Sequence, residues 1–374
     1  DSGLIRYGAL LSAFKQMKNL FQPLSFNCGA VMKNLFMLAP LTNLQSHDDG
    51  CLSDDEYRWL TMRARGGFGL VMTCASHMQA IGKGFSGQLA CYSDDHLEGL
   101  GRLAAGIRAA SSLAVVQLHH AGMRSPEDVI GGQPVCPSDN DETGARALKH
   151  EEVEQLKEDF VAAAERVRRA GFDGVEIHGA HGYILGQFLS AAINRRSDEY
   201  GGSLENRSRI IFDIVKSIRK RCGPDFLLGI RLSPERFDVK LAEIIEVAQR
   251  LISTGDIDFL DMSLWDVFKE PEEEAFKGRT LMSYFTELDR GHVRLGVAGK
   301  IRTPVDTLKT LEQGADFIIL GRAAILHHDY PVQVHDNPLF KPATLPVTRE
   351  YLRKQGLGES FVKYMSGWAG FVEN

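Results

Sequence analysis

The sequence contains no C-x-x-C pair, no excess of basic residues and no apolar run approaching a membrane span, and each absence removes a class of protein. The six cysteines (Cys28, Cys51, Cys74, Cys91, Cys136 and Cys222) are scattered, so neither a zinc ribbon nor an iron–sulfur cluster is spelled out. Scattered thiols in a chain of 374 residues fit a reducing, cytoplasmic setting. A net charge of −6 argues against a nucleic-acid partner, which needs clustered positive charge. Without about 18 consecutive apolar residues, no membrane partner is expected. The opening DSGLIRYGALLSAFKQ lacks a basic leader and a clear cleavage site and is not read as a signal peptide. Internal repeats and low-complexity segments are also missing.

What remains is ordinary globular composition, 44% hydrophobic and 25% charged, arranged as a regular alternation. Eight short apolar runs read as strands: Leu35–Leu38, Gly69–Thr73, Ala114–Leu118, Gly174–Ile177, Leu227–Ile230, Phe259–Met262, Arg294–Val297 and Phe317–Leu320. Between them apolar residues recur at helical spacing over Asp54–Arg65, Asp95–Ala110, His150–Ala170, Ser203–Lys220, Lys240–Ser253 and Thr303–Gln313. Pro304 opens the last of these and Gly314 follows it, as the helix-end rules require. Eight strand–helix units predict an α/β fold, a single (β/α)8 TIM barrel over residues 31–335. Residues 1–30 and 336–374 form N- and C-terminal extensions. The second, with Phe361, Tyr364, Trp368 and Phe371, is too aromatic for a free tail and is expected to cap the barrel or pack on a second subunit, making a homodimer possible. After the sixth strand, LWDVFKEPEEEAFKG predicts a long acidic loop with only a short helix.

In such a barrel the active site gathers where the strands' C-terminal ends meet their loops. Those positions hold Pro40 and Thr42, Ala75 and Ser76, Gln117 and His119, His178 with His181 and Tyr183, Arg231, Ser263, Gly299, and Gly321 with Arg322. Thr42, Gln117 and Arg231 offer a hydroxyl, an amide and a fixed cation able to grip the polar edge of a flat heterocycle. Each alone is as readily a capping residue; their convergence is the signal. GVAGKIRTP and IILGRAAI each run from a strand through a Gly turn into a helix, the arrangement with which backbone N–H groups bind phosphate. A heterocycle grip and a phosphate cup on one rim point to a phosphorylated flavin. GKGFSG, residues 82–87, matches a dinucleotide fingerprint literally, but no helix opens inside it and its strand ends well before it. It reads as a flexible loop.

His178 and His181 admit three readings: metal ligands, histidines bonded into a loop, or two ring N–H donors aimed at an oxygen that gains charge. Zinc needs three or four ligands, and no partnering Cys or His pair has recognisable spacing, so no metal is assigned. The donor reading gives Tyr183, two residues on, the role of a proton donor.

The stretches LAPLTN, VQLHHAG, GVEIHGAHGYILGQFLSAAINRRSDEYGGSLENR, GIRLSPE and LGRAAI occur in order between about residues 30 and 335. This pattern resembles the old yellow enzyme family of FMN-dependent ene-reductases. The resemblance implies a barrel that holds FMN, takes its reducing equivalents from NADH or NADPH, and reduces the activated C=C bond of small unsaturated carbonyl or nitro compounds. By position, His178 and His181 would bind the substrate oxygen and Tyr183 would protonate the α-carbon. Pro40, Thr42, Ala75, Gln117, Arg231, Gly299, Lys300, Gly321 and Arg322 would bind the cofactor. Nicotinamide and alkene would use one flavin face in turn, which implies ping-pong kinetics.

The chain departs from the pattern in places. Thr42 stands where one branch has Cys, HHAGMRS carries an extra residue that leaves Arg124 unassigned, and Lys300 replaces a frequent Gly, so that only its backbone need serve. Residues 1–30 and the acidic loop are not assigned a counterpart in the pattern. A larger dienoyl-reductase branch places a cysteine cluster after the barrel, whereas the last cysteine here is Cys222. A flavin-binding barrel without turnover, serving as carrier or sensor, is the alternative from another class.

Overall fold

The computed structural model describes residues 17–373, so the first part of the expected N-terminal extension lies outside the described residues. Eight parallel strands close a barrel: β1 (Phe36–Leu38), β2 (Leu70–His77), β3 (Leu113–His119), β4 (Gly174–Gly179), β5 (Leu227–Leu232), β6 (Phe259–Ser263), β7 (Arg294–Ala298) and β8 (Phe317–Leu320). Each strand pairs with the next in sequence, and β8 closes onto β1 through Ile318↔Phe36, Ile319↔Met37 and Leu320↔Leu38. The (β/α)8 barrel expected from the alternation is therefore the observed fold. Most strands end later than their apolar runs. β2 continues four residues to His77 past an irregularity between Met72 and Ala75, and β4, β5 and β6 take in His178, Arg231 and Ser263. The backbone ladder persists because a polar side chain pointing into the barrel does not interrupt N–H···O=C pairing.

The helices start where short polar side chains can take up free N–H groups. α1 (Asp54–Arg65) opens with Ser53 accepting from the Glu56 N–H. α2 (Leu97–Arg108), α3 (His150–Arg169), α4 (Leu204–Cys222) and α5 (Leu241–Thr254) follow β2 to β5, and Ser203 caps α4 in the same way. After β6 only a short helix, Ser283–Thr286, appears, as expected for the acidic loop. α6 (Pro304–Glu312) follows β7 with a capping box between Thr303 and Asp306.

Period-two alternation divides the apolar residues into two cores. Val116, Leu118, Ile177, Ile230 and Leu260 pack outward against the helices. Met37, Leu70, Met72, Val115, Leu227, Phe259 and Phe317 fill the barrel interior. The hairpin of Leu24–Ser25 with Val31–Met32 closes the lower end by inserting Phe26, whose ring lies 5.9 Å from Phe259 and 6.1 Å from Phe317. The aromatic C-terminal segment packs on the barrel's outside. Phe361, on the helix Glu359–Ser366, sits edge-on to Trp59 of α1 at 4.9 Å, and the Gly358 N–H donates to Gln45 at 2.7 Å.

The interior plug tolerates no added volume at Gly229 of β5. A Cβ there would fall 2.1 Å from the Phe259 ring, which Phe26 and Phe317 hold in place. Gly229→Ala is expected to cost about 1–3 kcal/mol of stability. Urea denaturation checks this as a lowered midpoint at unchanged slope, and an unaltered midpoint would contradict the packing argument.

Candidate active site

Above the apolar plug the inward positions turn polar. Gln117 on β3, Glu176 on β4, Arg231 on β5 and Asp261 on β6 are all buried. The Gln117 amide donates to Glu176 Oε1 at 2.7 Å, and Arg231 Nε lies 3.2 Å from Asp261 Oδ2. One step higher, His119, His178 and Ser263 continue the same inward rows.

The hydrogen bonds fix the state of the two histidines. Nδ1 of His178 accepts from the Ala180 N–H at 3.2 Å, so its ring proton sits on Nε2. That N–H faces His181 Nδ1 at 3.3 Å, which leaves the His181 proton on Nε2, donated to Ser263 Oγ at 2.7 Å. Burial holds His181 down at about 3 and pushes His178 well below the usual imidazole range, with the Arg231 cation adding to both effects. Both rings are therefore neutral, each with one N–H donor. His181 has φ +61°, a left-handed backbone that turns its ring back over the barrel mouth.

Tyr183 precedes the helix Ile184–Leu189, and its ring stands edge-to-face with His178 at 5.0 Å and with His119 at 4.4 Å. Burial raises its pKa, so the phenol keeps its proton. Arg124, left without a role by the sequence, holds this loop. Its guanidinium donates to the His181 carbonyl and lies 4.9 Å over the Tyr183 ring.

The Gly-rich stretch 82–87 is a loop but not a free one, which corrects the sequence expectation. Gly82 and Gly87 are buried, and Lys83 donates to the Asp48 carbonyl at 2.7 Å. The Gly84 N–H donates to Gln88 Oε1, fixing the amide so that its NH2 reaches the Ala75 carbonyl and His119 Nδ1. A Cβ at Gly82 would strike the His120 ring at 2.5 Å, so the glycine is there for close approach.

A cavity of about 360 Å³ opens beside Arg231, within the range of small-ligand sites. Pro40, His181, Arg231, Gly299, Lys300, Gly321 and Arg322, all singled out in the sequence, line it. Gln117, His178 and Tyr183 stand behind this wall through the contacts described. Ala75 is tied to Gln88. Thr42 is half-buried after β1 and its hydroxyl makes no hydrogen bond among the described residues. Trp265, Arg302 and Trp368 also line the cavity and were not anticipated. Arg302 and Arg322 have no carboxylate partner among the described residues, and burial together with Arg302 lowers the pKa of Arg322. Two unpaired guanidiniums beside the open backbone of Gly321 form an anion seat, which is what a flavin phosphate requires. Lys300 lines the cavity, and its amine pairs with Asp266 at 3.1 Å.

The family model for the NADH:flavin oxidoreductase / NADH oxidase family matches residues 19–338, and the chain belongs to that family. It is 36% identical over 329 residues to a probable NADH-dependent flavin oxidoreductase, YqiG, of Bacillus subtilis, covering 85% of this chain and 88% of that protein. It is 30% identical to an NADH:fumarate oxidoreductase of Klebsiella pneumoniae, of which it spans only 36%. Its fold matches a solved old yellow enzyme homologue from Zymomonas mobilis with a TM-score of 0.78 and 27% identity, covering 92% of this chain and 99% of that one. The protein is thus an FMN-dependent oxidoreductase of the old yellow enzyme type, with NADH or NADPH as reductant. No helix among the described residues is long and apolar enough to cross a membrane.

The buried imidazoles carry a consequence for stability. A histidine whose folded pKa is depressed binds its proton more weakly folded than unfolded. Stability is therefore full above the unfolded value near 6.5 and declines as pH falls toward the folded one. His120, held down at about 3 by burial, is expected to contribute about 1.4 kcal/mol of loss per pH unit between pH 6 and 4. His120→Asn keeps an acceptor for the Gly122 N–H that His120 Nδ1 now takes, so it should flatten that slope. Urea titrations at pH 7, 6 and 5 measure it; parallel slopes in the two proteins would count against a neutral buried ring.

Proposed function

We propose that the enzyme reduces the activated C=C bond of α,β-unsaturated carbonyl or nitro compounds. The observation that carries this reading is the pair of neutral histidines, each with one N–H, set beside a buried, protonated tyrosine, with His181 lining the cavity and His178 and Tyr183 directly behind it. Neutral imidazoles donate hydrogen bonds without offering an acidic proton, which suits an oxygen that gains partial negative charge. His178 and His181 release their contacts to each other and to Ser263 and donate to that oxygen instead. Tyr183, kept in its protonated form, gives its hydroxyl proton to the α-carbon. FMN, when bound, would supply hydride chemistry at the β-carbon, with NADH or NADPH as the source of reducing equivalents.

Gln117 and Arg231 would hold the pyrimidine edge of the flavin, with Pro40, Thr42 and Ala75 contributing beside them. The Gly299 and Lys300 backbone, Gly321 and Arg322 would seat the phosphate, joined by Arg302. Six free thiols support the cytoplasmic, reducing setting of this reading.

The test is a two-stage anaerobic experiment on the purified holoenzyme. NADPH should bleach the flavin absorbance, and cyclohexenone should restore it. In Tyr183→Phe the NADPH bleaching should persist while recovery with the enone slows about 10²- to 10⁴-fold, the range for loss of a positioned proton donor. Bleaching with no recovery in the unmodified enzyme would refute alkene reduction and favour a carrier or sensor.

A further inference from the structure

We propose that Glu176 and Asp261 hold one proton between them, and that this acid pair sets the reduction potential of the flavin seated above it. The pair sits in the middle layer of the barrel, both residues 0% exposed. From β3, Gln117 faces Glu176 Oε1; from β5, Arg231 faces Asp261. The next inward residue on β4 is neutral His178, and below lie Phe259, Met72 and Val115. Among the described residues Arg231 is thus the one cation paired with this layer, 3.2 Å from Asp261. If both ionised, the layer would hold an uncompensated negative charge out of reach of water, which is strongly disfavoured. One proton makes the layer neutral.

The hydrogen-bond inventory reaches the same answer independently. Glu176 Oε2 and both Asp261 oxygens are buried without an N–H or O–H donor. Glu176 on β4 and Asp261 on β6 turn inward on either side of β5, opposite Gly229 and Arg231, so a proton held between them supplies the missing donor. Burial first, and the neighbouring Asp261 carboxylate second, push Glu176 well up, and burial likewise raises Asp261. Titration belongs to the pair and not to either residue alone. Arg231 Nε makes no aligned bond to Asp261 even at 3.2 Å, and the residue lines the cavity, so its donors remain available upward. Glu176 and Asp261 touch neither substrate nor cofactor on this reading; they act through Gln117 and Arg231 as positioning residues.

The proposal rests on Gln117 and Arg231 facing the flavin, and its first test does not. Infrared spectroscopy of the apoprotein should show a protonated carboxyl band at neutral pH that shifts in D2O. Glu176→Gln and Asp261→Asn should each abolish it, because the remaining carboxyl ionises against Arg231. The second test measures the midpoint potential of the FMN-loaded protein. Each single variant keeps one negative charge and should move the potential little. The double variant leaves Arg231 unopposed and should favour reduction by at least about tenfold, roughly 30 mV for a two-electron couple. Absence of the band in the unmodified protein, or equal stepwise shifts in the two single variants, would overturn the shared proton. A band present with no shift in the double variant would overturn the link to the flavin alone. If the double variant does not fold, the band in the unmodified protein and its loss in the single variants still decide the first point.

Discussion

The inward side chains of β3 to β6 have to satisfy one another, because the barrel wall and the aromatic plug below shut them off from water. Strand register makes this unavoidable. With period two, Val115, Gln117 and His119 point the same way, as do Glu176 and His178, and Phe259, Asp261 and Ser263. The lower members are apolar and form the plug. The upper ones are polar, and their protonation states follow from burial more than from any single neighbour. Imidazoles become neutral donors in fixed tautomers, and the lone guanidinium keeps free N–H groups toward the cavity. Polar donors that cost stability unpaired are held in reserve for a ligand.

The fold was readable because parallel barrel strands are buried on both faces and stand out as continuous apolar runs. The strand ends are harder to read: the apolar runs of β4, β5 and β6 give way to His178, Arg231 and Ser263, although the backbone ladder continues through those residues. Glu176 within GVEIHG and Asp261 within FLDMS escaped notice for the opposite reason: each is one carboxylate inside an apolar segment. Their signal was parity. Glu176 lies two residues before His178, and Asp261 two before Ser263, so strand alternation puts each carboxylate on the same face as the site residue that follows it. Trp368 could not have been found this way. It belongs to the C-terminal segment, nearly fifty residues beyond β8, and reaches the cavity through packing on the barrel's outside.

Motif spacing also says little about what holds a motif still. Arg124 and the Gly-rich loop were legible as residues but not as parts of the site. One clamps the carbonyl of His181 and covers Tyr183; the other orients Gln88 and, through it, His119. Both make their contacts across 30 to 60 residues of sequence, where side-chain geometry and not local pattern decides the partner.

The acidic loop after β6 shows the same principle at the cavity rim. As sequence, EPEEE reads as a repulsive run. In the fold its charges are used individually. Glu272 pairs with Arg236 and Lys269, Glu273 accepts from the Leu241 N–H that opens α5, and Glu274 meets Lys277. Buried Glu235 joins the network through Lys269 and the Glu272 N–H. Exposed pairs of this kind contribute at most about 1 kcal/mol each, so their effect is geometric more than energetic. They tie the β6 loop to the β5 loop and present Trp265, stacked under Arg236 at 4.6 Å, to the cavity. A run of like charge thus serves as a brace for an aromatic wall. The cavity's shape at this edge depends on pairings between two loops that no single segment of the sequence encodes.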